Sequence, residues 1–215
     1  MVSIGKQAGR SVTAVLSNMD EPLGEMIGNA LEVKEAIDTL HGRGPSDLKE
    51  LVKTLAAEAL LTSCNRKITQ QDAFAKVEKV ISSGEAFKTF VEMVKIQGGD
   101  SEMVKNPALL PTAKEVVSLK SKEAGHISRI DCEEIGLAAM MLGAGRENKD
   151  SVIDLSVGLR LVKHVGDKVE KGESLAELHV DAKRNNQKAM DRLQSAFHFS
   201  KDPVNPQPLI LDIVS

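Results

Sequence analysis

Residues 11–40 read SVTAVLSNMDEPLGEMIGNALEVKEAIDTL, and this stretch decides the fold class because it joins a strand pattern to a helix pattern. The run at 11–17 is short and rich in β-branched residues, which predicts a buried strand. From Met26 the apolar residues recur at helical spacing, and the HGRGP sequence at 41–45 ends that pattern after Leu40. The stretch therefore predicts a strand followed by an amphipathic helix, as in an α/β protein.

Three more helices are predicted in the first half of the chain. Ser46 or Asp47 can cap the first, and Thr69, with Asp72 three residues later, can cap the second. The third ends at the glycines of 98–99. A single strand among helices cannot pair its own backbone groups in a core. Either that strand pairs with strands of the second half, or the chain is part of something larger.

The segment 100–112, DSEMVKNPALLPT, carries two prolines and several polar residues, and it predicts a connector between two domains, 1–112 and 113–215. The second domain shows β-like runs at 113–121, 124–130, 152–163 and 168–180, and helical patterns at 131–142 and near 182–197. The fold class is thus α/β, or α+β overall. An incomplete α/β lobe is followed by a small α+β unit.

The composition excludes several classes of partner. The 215 residues hold 28 basic and 31 acidic side chains, five phenylalanines and neither tryptophan nor tyrosine. A balanced charge and so few aromatic rings argue against nucleic acid as a partner. No run approaches the roughly 18 apolar residues of a membrane span, so no membrane partner is predicted. Cys64 and Cys132 match neither a metal-ligand spacing nor a disulfide framework, which favours a reduced, cytoplasmic protein.

The hairpin sequence GDKVEKGESLAELH at 166–179 is typical of biotinyl and lipoyl carrier domains, in which a turn of this kind precedes a modified lysine. Its Gly-Asp and Lys-Gly pairs are turn residues, and Val169, Leu175 and Leu178 supply apolar points for a small barrel or flattened sandwich. The nearest lysine for modification is Lys183, which is displaced from the expected register. A structural scaffold is the favoured interpretation, with a stand-alone binding or carrier module as the alternative.

Other motifs predict no catalytic residue and no residue that binds an organic cofactor. In LGAGR at 142–146 the glycines follow a helix, whereas a phosphate loop needs them before a helix N-terminus. We therefore interpret this motif as a helix stop, with Arg146 as a surface or interlobe ion-pair partner. The chain also has five histidines, which lack acidic or nucleophilic neighbours in sequence and which we expect in loops or on the surface. They are His41, His126, His164, His179 and His198.

The glycines at 24 and 28 offer a further candidate site. They weaken the start of the helix and can leave the carbonyls of Leu23 and Met26 free to point at a hard cation. Glu35 could add a carboxylate, although it lies roughly 200° around the helix from the apolar Val33, at about 100° per residue. Helical spacing alone therefore favours a solvated glutamate.

Four stretches together resemble pyrimidine-nucleoside phosphorylases, the bacterial relatives of thymidine phosphorylase. They are MVSIGKQAGR (1–10), AVLSNMDEPLGEMIGNALEVKEAIDTL (14–40), LGAGR (142–146) and DSVIDLSVGLRLVKHVGDKVEKGESLAELH (150–179). The resemblance runs in order along almost the whole chain. It implies a transferase of the pentosyltransferase kind: phosphate attacks C1′ of a pyrimidine nucleoside and yields the free base and a pentose 1-phosphate, as in nucleoside salvage.

The same resemblance implies that this chain is only the C-terminal portion of such an enzyme. The family's phosphate-binding and base-binding residues lie upstream, so the segment alone is expected to be inactive and to need the upstream half. The segment 1–112 would be the end of the α/β lobe, and 113–215 the barrel-like C-terminal subdomain. The parent protein would be a homodimer.

The family's potassium site can be transferred residue by residue from the resemblance. It uses two backbone carbonyls and one carboxylate of this region, which match Leu23, Met26 and Glu35. Met26 departs from the small residue expected there, but a carbonyl ligand tolerates a change of side chain. The remaining potassium ligands come from beside the upstream phosphate loop, so the site is expected to be incomplete here.

Overall fold

A computed structural model describes residues 1–181 and 186–215. Within these ranges the helices are α1 Val2–Gln7, α2 Asn29–Leu40, α3 Ser46–Ser63, α4 Gln70–Ser82, α5 Glu85–Ile96, α6 Ser101–Lys105, α7 Cys132–Ala139 and α8 Gln187–Ser195. The strands are β1 Ala14–Ser17, β2 Met26–Ile27, β3 Glu115–Lys120, β4 Gly125–Ile130, β5 Gly158–Leu161, β6 Lys168–Val169, β7 Ser174–Val180, β8 Phe197–Ser200 and β9 Ile210–Val214. Helices and antiparallel sheets are mixed, which confirms the predicted fold class.

The backbone contacts divide the chain into two compact units. Unit 1 comprises Met1–Asn18, Ile37–Ser101 and Gln207–Ser215, and unit 2 comprises Met19–Ala36 and Glu102–Pro206. The predicted assignment of 1–112 and 113–215 to two family domains stays a prediction. Both units are assembled from segments that are distant in sequence.

Unit 1 combines helices with a short two-stranded ladder. A strand predicted at 11–17 is confirmed at Ala14–Ser17, where β1 pairs antiparallel with β9, from Ala14 opposite Val214 to Ser17 opposite Ile210. Its predicted burial is wrong: no residue of β1 is buried, and Leu16 is 46% exposed. The core of the helical part lies between α3 and α4, and its buried members are Ala57, Leu61, Ala73, Val77 and Ile81. The strand thus finds a partner within the chain, at its C-terminal apolar run.

The first residues of helices α3 and α4 in unit 1 show whether the predicted N-terminal caps form. Thr69 caps α4 as predicted. Its hydroxyl accepts a hydrogen bond from the Asp72 N–H at 3.1 Å, and the Asp72 carboxylate accepts one from the Thr69 backbone N–H. The predicted cap of α3 by Ser46 or Asp47 is wrong. Pro45 occupies that position without a side-chain hydrogen bond, because the helix begins one residue early at Ser46.

Unit 2 is built from two small antiparallel sheets around one core. Within the described residues, one sheet has the strand order β2-β5-β7-β3 and the other the order β6-β4-β8. Side chains from both sheets and from α7 and α8 fill a single hydrophobic cluster, in which Ile127, Leu159, Leu178 and Leu193 are fully buried. The hairpin residues Val169, Leu175 and Leu178 all lie in this core, as the sandwich interpretation predicted.

The predicted helix start at Met26 is wrong. Met26 and Ile27 form strand β2 instead, opposite Arg160 and Leu159 of β5, and α2 begins at Asn29. Between them Gly28 adopts φ +136°, and a Cβ atom there would lie 2.7 Å from the Val157 carbonyl oxygen. A glycine is needed at this point because the backbone turns from strand to helix in direct contact with the backbone segment that contains Val157.

Two further boundaries differ from the sequence pattern. The β-like run at 152–163 forms a strand only at Gly158–Leu161. The helix predicted at 131–142 is regular to Ala139 and then widens into a π-helical turn, in which Gly143 has φ +105°. The last helix begins at Gln187, and the start predicted near 182 lies outside the described residues. Among the helices that the structure describes, none is long and apolar enough to cross a membrane.

Candidate functional site

The turn at residues 23–28 wraps around the carboxylate of Glu35 on α2. One carboxylate oxygen, Oε1, accepts hydrogen bonds from the N–H groups of Glu25 at 2.9 Å and Met26 at 3.1 Å. The Glu35 residue is only 8% exposed. The interpretation of Glu35 as a solvated glutamate is therefore wrong, because helical spacing could not show that the preceding turn folds back over this side of α2.

Gly24 allows the turn to approach the carboxylate. It has φ +73°, a left-handed conformation that favours glycine. A Cβ atom at this position would lie 2.4 Å from Oε2 of Glu35. Any larger residue would push the carboxylate out of its place, so both Gly24 and Glu35 belong to one local arrangement.

The carbonyl of Met26 points toward the open edge of its sheet. The Leu161 N–H donates to the Glu25 carbonyl at 2.8 Å, which makes Glu25, and next Ile27, the residues of this strand that hydrogen-bond to β5. In an antiparallel ladder the residue between them, Met26, directs both its N–H and its C=O away from the partner strand. That side is the one on which Glu35 receives the Met26 N–H.

An ion-pair network anchors the turn to the sheet. Glu25 Oε2 accepts from Arg160 Nε at 3.0 Å and lies 2.9 Å from Arg160 Nη2, and Arg160 Nη1 lies 3.7 Å from Glu177 on β7. On the same strand as Glu177, burial is the largest influence on His179 and lowers its pKa. The Glu177 carboxylate opposes this shift, and the cations Lys34 and Arg160 add to it. Pattern analysis missed this network, because Glu25 and Arg160 are 135 residues apart in sequence.

The donor groups suit a hard monovalent or divalent cation with oxygen ligands. Glu35 and Met26 are in direct contact, and Leu23 precedes Gly24 at the start of the same turn. The described part of the chain contains no group of three or more His, Cys, Asp or Glu residues that could hold a metal ion. A cation at this turn would therefore depend on backbone carbonyls together with the Glu35 carboxylate.

The histidines make local contacts that sequence neighbours did not reveal. His164 Nδ1 lies 3.3 Å from Glu21 Oε2, and a nitrogen of His198 lies 2.8 Å from the Arg129 guanidinium. His41 lies against the ring of Phe87, with ring centroids 4.3 Å apart. These contacts join elements within each unit. The prediction that the chain carries no catalytic and no organic cofactor-binding residue stays a prediction.

The structure also shows where the two remaining motifs lie, LGAGR and the carrier-like segment 166–179. LGAGR lies at the end of the π-helical turn that follows α7, where it stops the helical segment, and Arg146 is exposed just after that turn. The carrier-like segment forms β6 and β7 with the turn residue Gly172 at φ +88° between them. The predicted hairpin is wrong, because these two strands do not pair with each other: β6 pairs with β4, and β7 pairs with β3 and β5. Lys183, the lysine of the carrier alternative, lies outside the described residues.

Two models of known protein families match this chain and identify the class of protein to which it belongs. Residues 1–87 match the model of the glycosyl transferase family a/b domain, and residues 126–200 match the model of the pyrimidine nucleoside phosphorylase C-terminal domain. The chain thus combines, in order, parts of two domains of a glycosyl transferase. Both matched ranges contain residues of the antiparallel sheets described above.

Individual relatives narrow the class. The chain is 52% identical over 181 residues to the pyrimidine-nucleoside phosphorylase of Bacillus subtilis (strain 168), which covers 84% of this chain and 42% of that protein. It is 43% identical over 215 residues to the pyrimidine-nucleoside phosphorylase of Geobacillus stearothermophilus, which covers 100% of this chain and 49% of that protein. The chain belongs to the pyrimidine-nucleoside phosphorylase family, and it spans about half the length of the curated relatives that it matches.

Proposed function

We propose that this chain is the C-terminal part of an enzyme that splits pyrimidine nucleosides with inorganic phosphate. The observation that carries the proposal is 43% identity over all 215 residues to a pyrimidine-nucleoside phosphorylase, with two family models matched in chain order. In the reaction an oxygen of phosphate forms a bond to C1′ of the pentose as the bond from C1′ to the pyrimidine nitrogen breaks. The base leaves with the bonding electrons and takes up a proton.

The contribution of this chain to that reaction is structural. An enzyme of this kind gains rate by positioning two polar reactants and by stabilising the charge on the departing base. The groups expected to touch phosphate and base belong to the upstream half, which we propose as the partner. The parent protein would be a cytoplasmic homodimer that serves nucleoside salvage.

Potassium is the cation that we propose for the turn at residues 23–28. The carbonyls of Leu23 and Met26 and the carboxylate of Glu35 would hold it, and further ligands would come from beside the phosphate loop upstream. When bound, the ion would supply positive charge that ties this turn to the phosphate loop. The proposal is supported by the buried Glu35 carboxylate, which accepts two backbone N–H hydrogen bonds, and by the Met26 carbonyl beside it, which faces outward from the sheet.

The activity is tested by measuring uracil released from uridine and phosphate. The purified chain alone is expected to release none. The same chain, fused behind the portion of the B. subtilis enzyme that precedes the matched stretch, is expected to turn over, and that B. subtilis portion alone is not. Turnover by the isolated chain that follows the protein through purification would contradict the proposed inactivity. A folded fusion without turnover would contradict the proposed function.

The potassium proposal is tested on the same fusion by thermal unfolding in potassium chloride and in tetramethylammonium chloride at equal ionic strength. Potassium should raise the melting temperature of the fusion and of the control E115Q, which changes an exposed glutamate on β3. The variant E35Q should lose the increase, because a neutral amide attracts the cation far less than a carboxylate does. An equal potassium effect in E35Q and E115Q would refute the assignment.

A further inference from the structure

The ion pair between Glu25 and Arg160 joins the turn at residues 23–28 to strand β5. The Nε and Nη2 atoms of Arg160 lie 3.0 Å and 2.9 Å from a single carboxylate oxygen of Glu25, Oε2. The side chains of Arg160 and Glu25 are 41% and 34% exposed, so the pair is partly shielded from water. A charge-assisted hydrogen bond is stronger than a neutral one, and a second charged nitrogen on the same oxygen restrains the carboxylate further. Arg160 thus holds the Glu25 side chain at a defined place on the sheet.

Glu25 is also bound through its main chain. Its carbonyl accepts a hydrogen bond from the Leu161 N–H at 2.8 Å, and its own N–H donates to Glu35 Oε1 at 2.9 Å. Arg160 and Leu161 are neighbours on β5, so adjacent residues of one strand hold both the side chain and the carbonyl of Glu25. The direction in which the Glu25 N–H points at Glu35 therefore depends on how firmly β5 holds Glu25.

The main-chain pairing at this point is short. Strand β2 has two residues, Met26 and Ile27, which lie opposite Arg160 and Leu159. A strand of this length makes few ladder hydrogen bonds, and segments with few such bonds open more readily than longer strands do. On the other side of Glu25 the backbone passes through Gly24, the residue type with the greatest conformational freedom. The bridge to Arg160 therefore restrains the turn where its main chain is otherwise weakly held.

We propose that Arg160 is a positioning residue for the cation of this turn: through Glu25 it fixes the N–H groups that orient the Glu35 carboxylate. The inference rests on the proposed function and deepens its potassium site. A guanidinium has no acceptor atom, so Arg160 is not itself a ligand. Removing a group that orients a metal ligand typically weakens metal binding by about 10- to 100-fold.

The direction of the change separates positioning from charge. Arg160 is positively charged, and loss of that charge would by itself make a nearby site more attractive to a cation. Loss of the bridge to Glu25 has the opposite effect, because the Glu35 carboxylate is then less firmly oriented. Weaker potassium binding in a variant that has lost a positive charge therefore reports positioning.

The test uses the fusion with the B. subtilis portion and measures the potassium concentration that gives half of the maximal rise in its melting temperature. Tetramethylammonium chloride keeps the ionic strength constant. Arg160→Gln breaks the bridge to Glu25. Arg192→Gln is the matched control in the same unit, because it breaks an ion pair with Glu134 at 3.2 Å, whose side chains are 36% and 32% exposed. Glu25→Ala removes the other partner of the bridge, and it is measured alone and together with R160Q.

R160Q is expected to need about 10-fold more potassium than the unsubstituted fusion, whereas R192Q should need the same amount. E25A should also need more, and R160Q should add little to E25A in the double variant, because Arg160 acts through Glu25. If R160Q shows no melting transition, R160K and R192K are compared instead. The same rise is expected for R160K, since lysine offers Glu25 one nitrogen where arginine offers two.

A merely structural role would lower the melting temperatures of R160Q and R192Q at every potassium concentration and leave the potassium requirement unchanged. That result overturns the proposal and leaves the potassium site standing. The proposal is also overturned if R160Q needs less potassium, or if the effects of R160Q and E25A add in full. A fusion whose melting temperature does not respond to potassium overturns the site and this inference together. Uracil release is measured separately, so none of these outcomes decides the proposed activity.

Discussion

The two compact units differ in how much hydrophobic core each one builds. Among the described residues of unit 2, nineteen buried side chains form one continuous cluster. Twelve of them are completely excluded from solvent: Ile127, Ile130, Ala138, Val157, Leu159, Leu161, Val169, Leu175, Ala176, Leu178, Leu193 and Ala196. The corresponding cluster of unit 1 has five buried members, Ala57, Leu61, Ala73, Val77 and Ile81. Both units leave some apolar side chains exposed, among them Leu16 and Leu55 in unit 1 and Val116 and Val152 in unit 2, so the contrast lies in the buried clusters.

The difference indicates which part of the chain is the more stable. A small cluster gives little hydrophobic free energy to offset the entropy of ordering the helices of unit 1 and its two strands, β1 and β9. Unit 2 closes its core within the chain, and its sheets cover both sides of that core. We infer that unit 2 is the more stable part of the chain.

The largest effect is expected from removing a core side chain in unit 2. Leu178→Ala deletes a side chain with no exposed surface in β7, and it should lower the free energy of unfolding of unit 2 by about 4 kcal/mol. Leu61→Ala is the matched change in unit 1, where the smaller cluster can close around the space, and it should cost about 2 kcal/mol. Urea unfolding followed by circular dichroism measures both. Equal losses would remove the contrast between the two cores.

A smaller effect is expected from a glycine at which two backbone segments meet. A Cβ atom on Gly158 would lie 2.3 Å from the Ile27 carbonyl oxygen, so Gly158→Ala forces β2 and β5 apart. We expect a loss of about 2 kcal/mol, the typical cost of overpacking. Gly136→Ala is the control, because that glycine lies inside α7 with no atom within 4 Å of the added carbon.

The control should be neutral or should stabilise the protein by up to about 1 kcal/mol, since alanine is the better helix former. Melting temperatures of the two variants measure the difference. If G158A melts at the same temperature as G136A, the close approach between the two strands is not as described.

The smallest effect is a dependence of stability on pH through His179. Burial, the largest influence, lowers the pKa of His179 in the folded protein from the ordinary 6.5, with Glu177 opposing the shift and Lys34 and Arg160 adding to it. The unfolded chain therefore takes up the proton first as the pH falls, and the stabilising contribution is complete above pH 6.5 and is lost below it. His179→Gln should weaken this dependence between pH 7.5 and the lower pKa of the folded state, as measured by melting temperature. A pH profile unchanged by H179Q would exclude His179 as its source.

Much of the fold could be predicted from local pattern. The Thr69 and Asp72 pair, the strand at Ala14–Ser17 and the strands at Glu115–Lys120 and Gly125–Ile130 follow from capping and periodicity, which act over a few residues. Strand β2 could not be predicted. Two residues are too few to show a periodic pattern of apolar side chains, and the residues of β5 with which they pair lie 132 or more positions further along the sequence. Sequence spacing placed Met26 inside a helix for this reason.

The candidate site was only partly accessible to sequence analysis. The family resemblance brought Leu23, Met26 and Glu35 together, and the structure adds the direct contact between the Met26 N–H and the Glu35 carboxylate. Helical spacing by itself placed Glu35 in solvent, because the turn that covers it depends on Gly24 and on the pairing of β2. The Arg160 bridge to Glu25 required the tertiary fold.

Hydrogen exchange on the 215-residue chain tests the central contrast most directly. If unit 2 closes its own core and unit 1 does not, the amides of β7 exchange only through the largest opening of the structure. Those of α4 and β1 should then exchange through smaller local openings, on the order of 100-fold faster. Equal protection of β7, α4 and β1, lost in a single transition, would contradict the account, because the two units would then be equally stable.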